Sequence, residues 1–115
     1  MLLEEDYEIL KSSFIDSQRL FDKLNHVSTQ AKELDYDESG LYHEEEERLE
    51  RHWLKLSSKI VDGLSCSMDG YNIELLSNEN LEARELKFNM IKDDKVSKIL
   101  VDYSEGDALS ITQLS

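Results

Sequence analysis

Proline is absent from the 115 residues, cysteine occurs once, glycine four times, and 13 basic side chains face 26 acidic ones. Each shortage excludes something. Without proline there is no proline-rich linker or polyproline segment. Cys66 alone cannot close an internal disulfide, which fits a reducing, cytoplasmic setting, or a nucleoplasmic one in a eukaryote. No two glycines stand closer than the seven positions between Gly63 and Gly70, so no glycine-rich phosphate loop can form. No run of about 18 apolar residues is present. The opening MLLEEDYE turns acidic at once, so neither a membrane span nor a secretory signal is expected. The deficit of lysine and arginine leaves a net charge of −13, which repels nucleic acid and anionic lipid.

The charge present is uneven. Residues 1–50 hold 15 acidic and 5 basic side chains, net −10; residues 51–115 hold 11 and 8, net −3. Any electrostatic partner is therefore expected to be a protein with a basic surface that meets the first half of the chain.

Apolar spacing supplies the fold. From Leu3 it runs in threes and fours through Tyr7, Leu10, Phe14, Ser17, Phe21, Leu24, Ser28 and Ala31, a heptad seam with serines as its weak positions. A second helix is expected from Ser39-Gly40 to about Asp62, with Leu49, Trp53, Leu56 and Ile60 on its stripe. At 1.5 Å per residue such helices reach about 45 and 33 Å. That is long for a chain whose compact radius of gyration is near 13 Å. They are expected to lie as a coiled-coil-like hairpin, or to pair with another copy through Tyr7, Leu10, Phe14, Phe21 and Leu24.

After Gly63 the period reads as two. LSCSMDGYNIEL looks like a hairpin around Asp69-Gly70, setting Leu64, Cys66 and Met68 opposite Leu75, Ile73 and Tyr71. Asp93-Asp94 is a second expected turn, with Leu86, Phe88 and Met90 facing Val101, Ile99 and Ser97. A loop at Glu105-Gly106-Asp107 would bring Tyr103 and Val101 against Leu109 and Ile111. The segment SNENLEARE between the strands could hold a helical turn. The expected fold class is α+β in a single domain, 1–115. It comprises a long helical hairpin over 1–63 and an antiparallel meander of four to five strands over 64–115, one face packed on the helices.

YHEEEERLERHW, residues 42–53, is the most charged stretch. Glutamates in the first turns of a helix offset the positive end of its dipole, and Glu44 and Glu47 stand four before Arg48 and Arg51. Ordinary helix electrostatics thus accounts for the run. It accounts less well for Glu33, Asp35, Asp37 and Glu38, which crowd the same end. His43, Glu47 and Glu50 could share a helix face, but no metal motif is present, and neither metal nor cofactor is expected. Cys66 has no electropositive surroundings, and no serine sits in a Gly-x-Ser-x-Gly elbow. The expected role is therefore not enzymatic. Asp35, Asp37, Glu38, Glu44, Glu45, Glu46 and Glu47 are the side chains expected to block or neutralise a basic partner surface, as an inhibitor, immunity or anti-defence protein does. Loose nucleic-acid mimicry is a lesser form of that role. The alternative is a coiled-coil adaptor subunit held through the helix seam.

Overall fold

A computed structural model describes residues 3–34, 41–78, 80–105 and 108–114. The chain is α+β: three helices, α1 (Glu4–Asp16), α2 (Gln18–Glu33) and α3 (Leu41–Ser67), precede four strands. These are β1 (Asn72–Leu75), β2 (Glu85–Lys92), β3 (Lys95–Glu105) and β4 (Ala108–Gln113). The sheet order is β1-β2-β3-β4, a plain antiparallel meander. At 51 × 28 × 22 Å, with a radius of gyration of 15.2 Å, the molecule is elongated along its helices.

The expected first helix is broken in two. Ser17, at φ −97° and ψ 13°, leaves helical geometry between α1 and α2. Phe14 and Phe21 both bury at 1% exposure and meet edge to face at 5.4 Å across that break. The second weak position, Ser28, has another cause. It is fully buried, and its hydroxyl lies 3.0 Å from the Tyr103 hydroxyl of β3. Trp53 of α3 donates its indole N–H to the same oxygen at 3.2 Å. A serine in the seam thus satisfies a polar atom that the sheet sends inward. Burial pushes the Tyr103 phenol pKa up, and the bonds to Ser28 and Trp53 act against that rise.

The expected hairpin around Asp69-Gly70 does not form. α3 runs through Gly63 to Ser67, and Gly70, at φ +82°, turns the chain out of it. Tyr71 N–H bonds to the Met68 carbonyl at 3.2 Å, and Gly70 is the third residue of that turn, where a positive φ favours glycine. Leu64 and Met68 are buried, but as successive turns of the helical stripe that begins at Leu49. Their spacing of four is twice the strand period and close to one helical turn of about 3.6 residues, so only Cys66 separates the two patterns. Cys66 is exposed on the helix instead of facing inward from a strand. Gly63 is tolerated within the helix because a methyl group added there would meet nothing within 4 Å.

The sheet therefore starts at Asn72. β1 pairs with β2, Ile73 opposite Met90 and Leu75 opposite Phe88, not with residues 64–68. The Asp93-Asp94 turn forms with both residues at positive φ, 52° and 63°, as a type I′ turn requires. Leu86, Phe88 and Met90 pair with Val101, Ile99 and Ser97, as the alternation predicts. Val101 also meets Ile111, with a register shift between Asp102 and Glu105. Gly106 and Asp107 of the expected loop lie outside the described residues. SNENLEARE holds a turn at 80–83, closed by Ala83 N–H to the Asn80 carbonyl at 3.1 Å.

One core joins the two layers. Leu10, Phe14, Phe21, Leu24 and Val27 of the first two helices pack with the α3 stripe and with Leu86, Phe88, Met90, Ile99, Val101 and Tyr103 of the sheet. Arg84 adds a polar clamp. Its guanidinium donates to the Asn25 carbonyl at 2.9 Å, to the Asn25 side-chain oxygen, and to Thr29 Oγ1 at 2.9 Å. Asn25 in turn donates to the Tyr103 carbonyl at 3.2 Å. The start of β2 is thereby tied to the middle of α2.

Candidate functional site

The helical layer has two ends. Asp6, in the first turn of α1, accepts a 2.7 Å hydrogen bond from Tyr71, which lies just beyond the C-terminal end of α3. At the opposite end, Ala31 of α2 and Leu34 just after it line a cleft with Tyr42, Glu46 and Glu50 of α3. α1 and α2 therefore run against α3, and the glutamate run sits where α2 finishes and α3 begins.

The segment 33–47 holds Glu33, Asp35, Asp37, Glu38 and Glu44 to Glu47 with no lysine or arginine among them; Lys32 and Arg48 bracket it. Asp35, Asp37 and Glu38 fall outside the described residues. Glu44 to Glu47 occupy the first turns of α3, where carboxylates meet the positive end of the helix dipole. Successive helical residues are rotated by about 100°, so the four point over about 300° of the helix circumference. They share an end, not a face. Glu44, Glu45 and Glu47 are exposed, whereas Glu46 turns toward the body of the protein and is half-buried.

Each carboxylate has its own surroundings. Arg48 pairs with Glu45, its Nη2 2.9 Å from Oε2, and not with Glu44 in the i,i+4 arrangement the spacing suggests. That bond holds the Glu45 carboxyl below its ordinary pKa. Glu46 accepts from the Tyr42 phenol, whose pKa is raised by that bond and by the negative charge of Glu46. Glu44 and Glu47 make no ion pair among the described residues.

The cleft at this end has a volume of about 180 Å³. Glu46, Glu50 and Glu82 give it carboxylates, and Leu34, Leu81 and Ala31 give it apolar wall. Glu82 and Leu81 arrive from the turn before β2, which Arg84 fixes to α2. Asn80 helps shape that turn by accepting the Glu82 backbone N–H at 3.1 Å. Such a lining suits a long cationic side chain, its methylenes on the leucines and its head among the carboxylates. Sequence spacing gave no sign of Glu82, because tertiary folding alone brings it to α3.

The chain matches no protein-family model, no curated protein and no solved structure. The site is thus defined by its own geometry.

The remaining expected residues are placed as follows. Leu10, Phe14, Phe21 and Leu24 are 0–1% exposed within the chain's own core, and Tyr7 is half-buried. His43, Glu47 and Glu50 all face solvent. Among the described residues, no three His, Cys, Asp or Glu side chains converge as metal ligands would, and no helix is long and apolar enough to cross a membrane.

Proposed function

We propose that the protein binds and covers a basic surface on another protein, through the end of the helical layer where α2 meets α3. The supporting observation is how few counter-ions stand there among the described residues. Eight carboxylates between Glu33 and Glu47 have no lysine or arginine among them, and Arg48 is the single cation paired to the run among the described residues. Like charges gathered without counter-ions oppose folding, and they gain their stabilisation from a cation outside the chain. The role is one of binding and not of catalysis, as in an inhibitor or immunity protein, met in the cytoplasm or nucleoplasm. Because Glu44 to Glu47 wrap around the helix and do not form a track, a cationic side chain entering the Glu46–Glu50–Glu82 cleft fits better than imitation of a phosphate backbone. An adaptor held through Leu10, Phe14, Phe21 and Leu24 would have to open the core that those residues fill.

Capture from source-cell lysate tests the proposal. The native protein should retain a basic partner at low salt and release it as salt rises. Replacing the exposed Glu44, Glu45 and Glu47 by lysine should abolish capture with the circular dichroism spectrum unchanged. Equal capture by that variant would sink the proposal.

A further inference from the structure

The outer face of the sheet, turned away from the helices, carries a larger cavity of about 360 Å³ where the connection from β1 to β2 meets the strands. Leu86, Phe88 and Met90 of β2, with Ile99 and Val101 of β3, are buried in the core, so Lys87 and Lys98 point outward by alternation. The register sets Lys87 opposite Leu100 and Asn89 opposite Lys98. Lys98 is therefore the diagonal neighbour of Lys87, with Cβ atoms roughly 7 Å apart. Both line the cavity. Glu85, the one carboxylate in the lining, lies 4.0 Å from the Lys87 ammonium, and Lys98 makes no ion pair among the described residues. Cations thus outnumber carboxylates here, in a chain where acidic side chains outnumber basic ones by 26 to 13. The connection adds further donors. Leu76 N–H bonds to the Lys87 carbonyl at 3.0 Å and fixes its start to β2. Asn78 Oδ1 accepts the Asn80 N–H at 3.1 Å, and Asn80 Oδ1 accepts that of Glu82 at 3.1 Å. Each of these amides spends its oxygen within the loop and keeps its NH₂ group to donate. Asn78 lines the cavity, and its Nδ2 is buried with no acceptor among the described residues. A native fold rarely leaves a buried donor unmet.

We propose that this cavity binds the oxyanion of a small molecule, a carboxylate or a phosphate, between Lys87, Lys98 and Asn78. The lining selects an acceptor that carries negative charge, because two ammonium groups and two amide NH₂ groups are the donors it offers. Net charge then selects the size of the ligand. Repulsion from a chain of −13 grows with every charge a ligand carries, which turns away nucleic acid and anionic membranes. A single oxyanion seated here lies within a Debye length, about 8 Å, of both ammonium groups, while more distant carboxylates are screened. A cavity of this volume suits a molecule of metabolite size. Its apolar part would rest on Leu76 and Ala83.

An NMR chemical-shift titration of the isotope-labelled full chain tests this, with sodium acetate and inorganic phosphate as probes and sodium chloride as control at constant ionic strength. One or both probes should give saturable shifts at the Asn78 side-chain amide and at the Ser77 and Lys98 backbone amides. The probe that saturates at the lower concentration identifies the group as carboxylate or phosphate. Lys98→Gln should weaken binding by roughly tenfold or more. Lys95→Gln removes the same charge outside the lining and should leave binding within about twofold. Asn78→Asp keeps an oxygen for the Asn80 N–H but replaces the donor by a carboxylate, and should abolish binding with the circular dichroism spectrum unchanged. Shifts that never saturate, or that chloride reproduces, overturn the proposal. Equal losses from Lys98→Gln and Lys95→Gln, or undiminished binding by Asn78→Asp, overturn it as well.

Discussion

Both ends of the helical layer are acidic, and the fold treats them differently. At the α1 end, Asp6 and Glu8 have partners, while Glu4 and Glu5 are exposed and make no ion pair among the described residues. Asp6 is bonded to Tyr71, Lys11 stands 3.8 Å from Glu8, and the Lys92 ammonium sits 5.0 Å from the centre of the Tyr71 ring. At the α3 end, Arg48 is paired with Glu45, and Glu44 and Glu47 go unanswered among the described residues. Similar composition therefore has two fates. Asp6 is tied to the far end of α3, whereas at the other end, among the described residues, Glu45 and Glu46 bond only to neighbours on their own helix and Glu44 and Glu47 face solvent. Net charge alone does not locate a binding surface; the difference between charge present and charge neutralised does.

Exchanging charges at the two ends tests that difference most strongly. Lysine at positions 44, 45 and 47 should reduce partner capture by roughly tenfold or more. Lysine at Glu4, Glu5 and Glu8 should leave capture within about twofold, since the same net change in charge is made at the other end. Comparable losses from both variants would erase the distinction. Stability should show the reverse order. Asp6→Ala removes the acceptor of a charge-assisted bond and should cost about 1–2 kcal/mol in urea unfolding. Glu44→Ala should stay within about 0.5 kcal/mol, as a solvated surface change does.

Alkaline titration separates the ends further. Burial, then the hydrogen bond to Asp6 and its negative charge, push the Tyr71 phenol up to about 12 from 10.0. A group whose pKa is raised by folding stabilises the native state fully below its unfolded value, and that contribution is lost as pH rises through the folded value. Unfolding midpoints should therefore fall between pH 10 and 12, and Tyr71→Phe should flatten part of that fall. Tyr103, raised chiefly by burial, contributes in the same direction. A similarly small effect belongs to the ion pair that the described residues show in the glutamate run. Arg48→Ala should leave the urea midpoint close to that of the native protein, because both partners are about half exposed and solvent screens the pair.

Two aspartate-containing turns show how much of this was legible in the sequence. Asp93-Asp94 lies between runs whose alternation continues on both sides, and the pairing follows residue for residue. Asp69-Gly70 is the stronger local turn signal, yet it closes a helix. Leu64 and Met68, four apart, satisfy a strand face and a helix face equally, and packing against the rest of the core decides between them. The serines of the first seam were visible as irregularities without a cause. Ser17 marks a break, and Ser28 meets a hydroxyl 75 positions away, which no local pattern contains. At the candidate site, the density of carboxylates was evident from composition. Their division around α3 followed from helical rotation, and the arrival of Glu82 depended on the Arg84 clamp.

Tyr103 has a bearing on how the molecule assembles. Its hydroxyl is the shared partner of Ser28 and Trp53, and its carbonyl accepts from Asn25, so two helices made early in synthesis complete their contacts on a strand made late. Contacts of such sequence separation close slowly, because the entropy of the intervening loop is lost before they form. The polar join between helices and sheet is therefore complete only once β3 is in place.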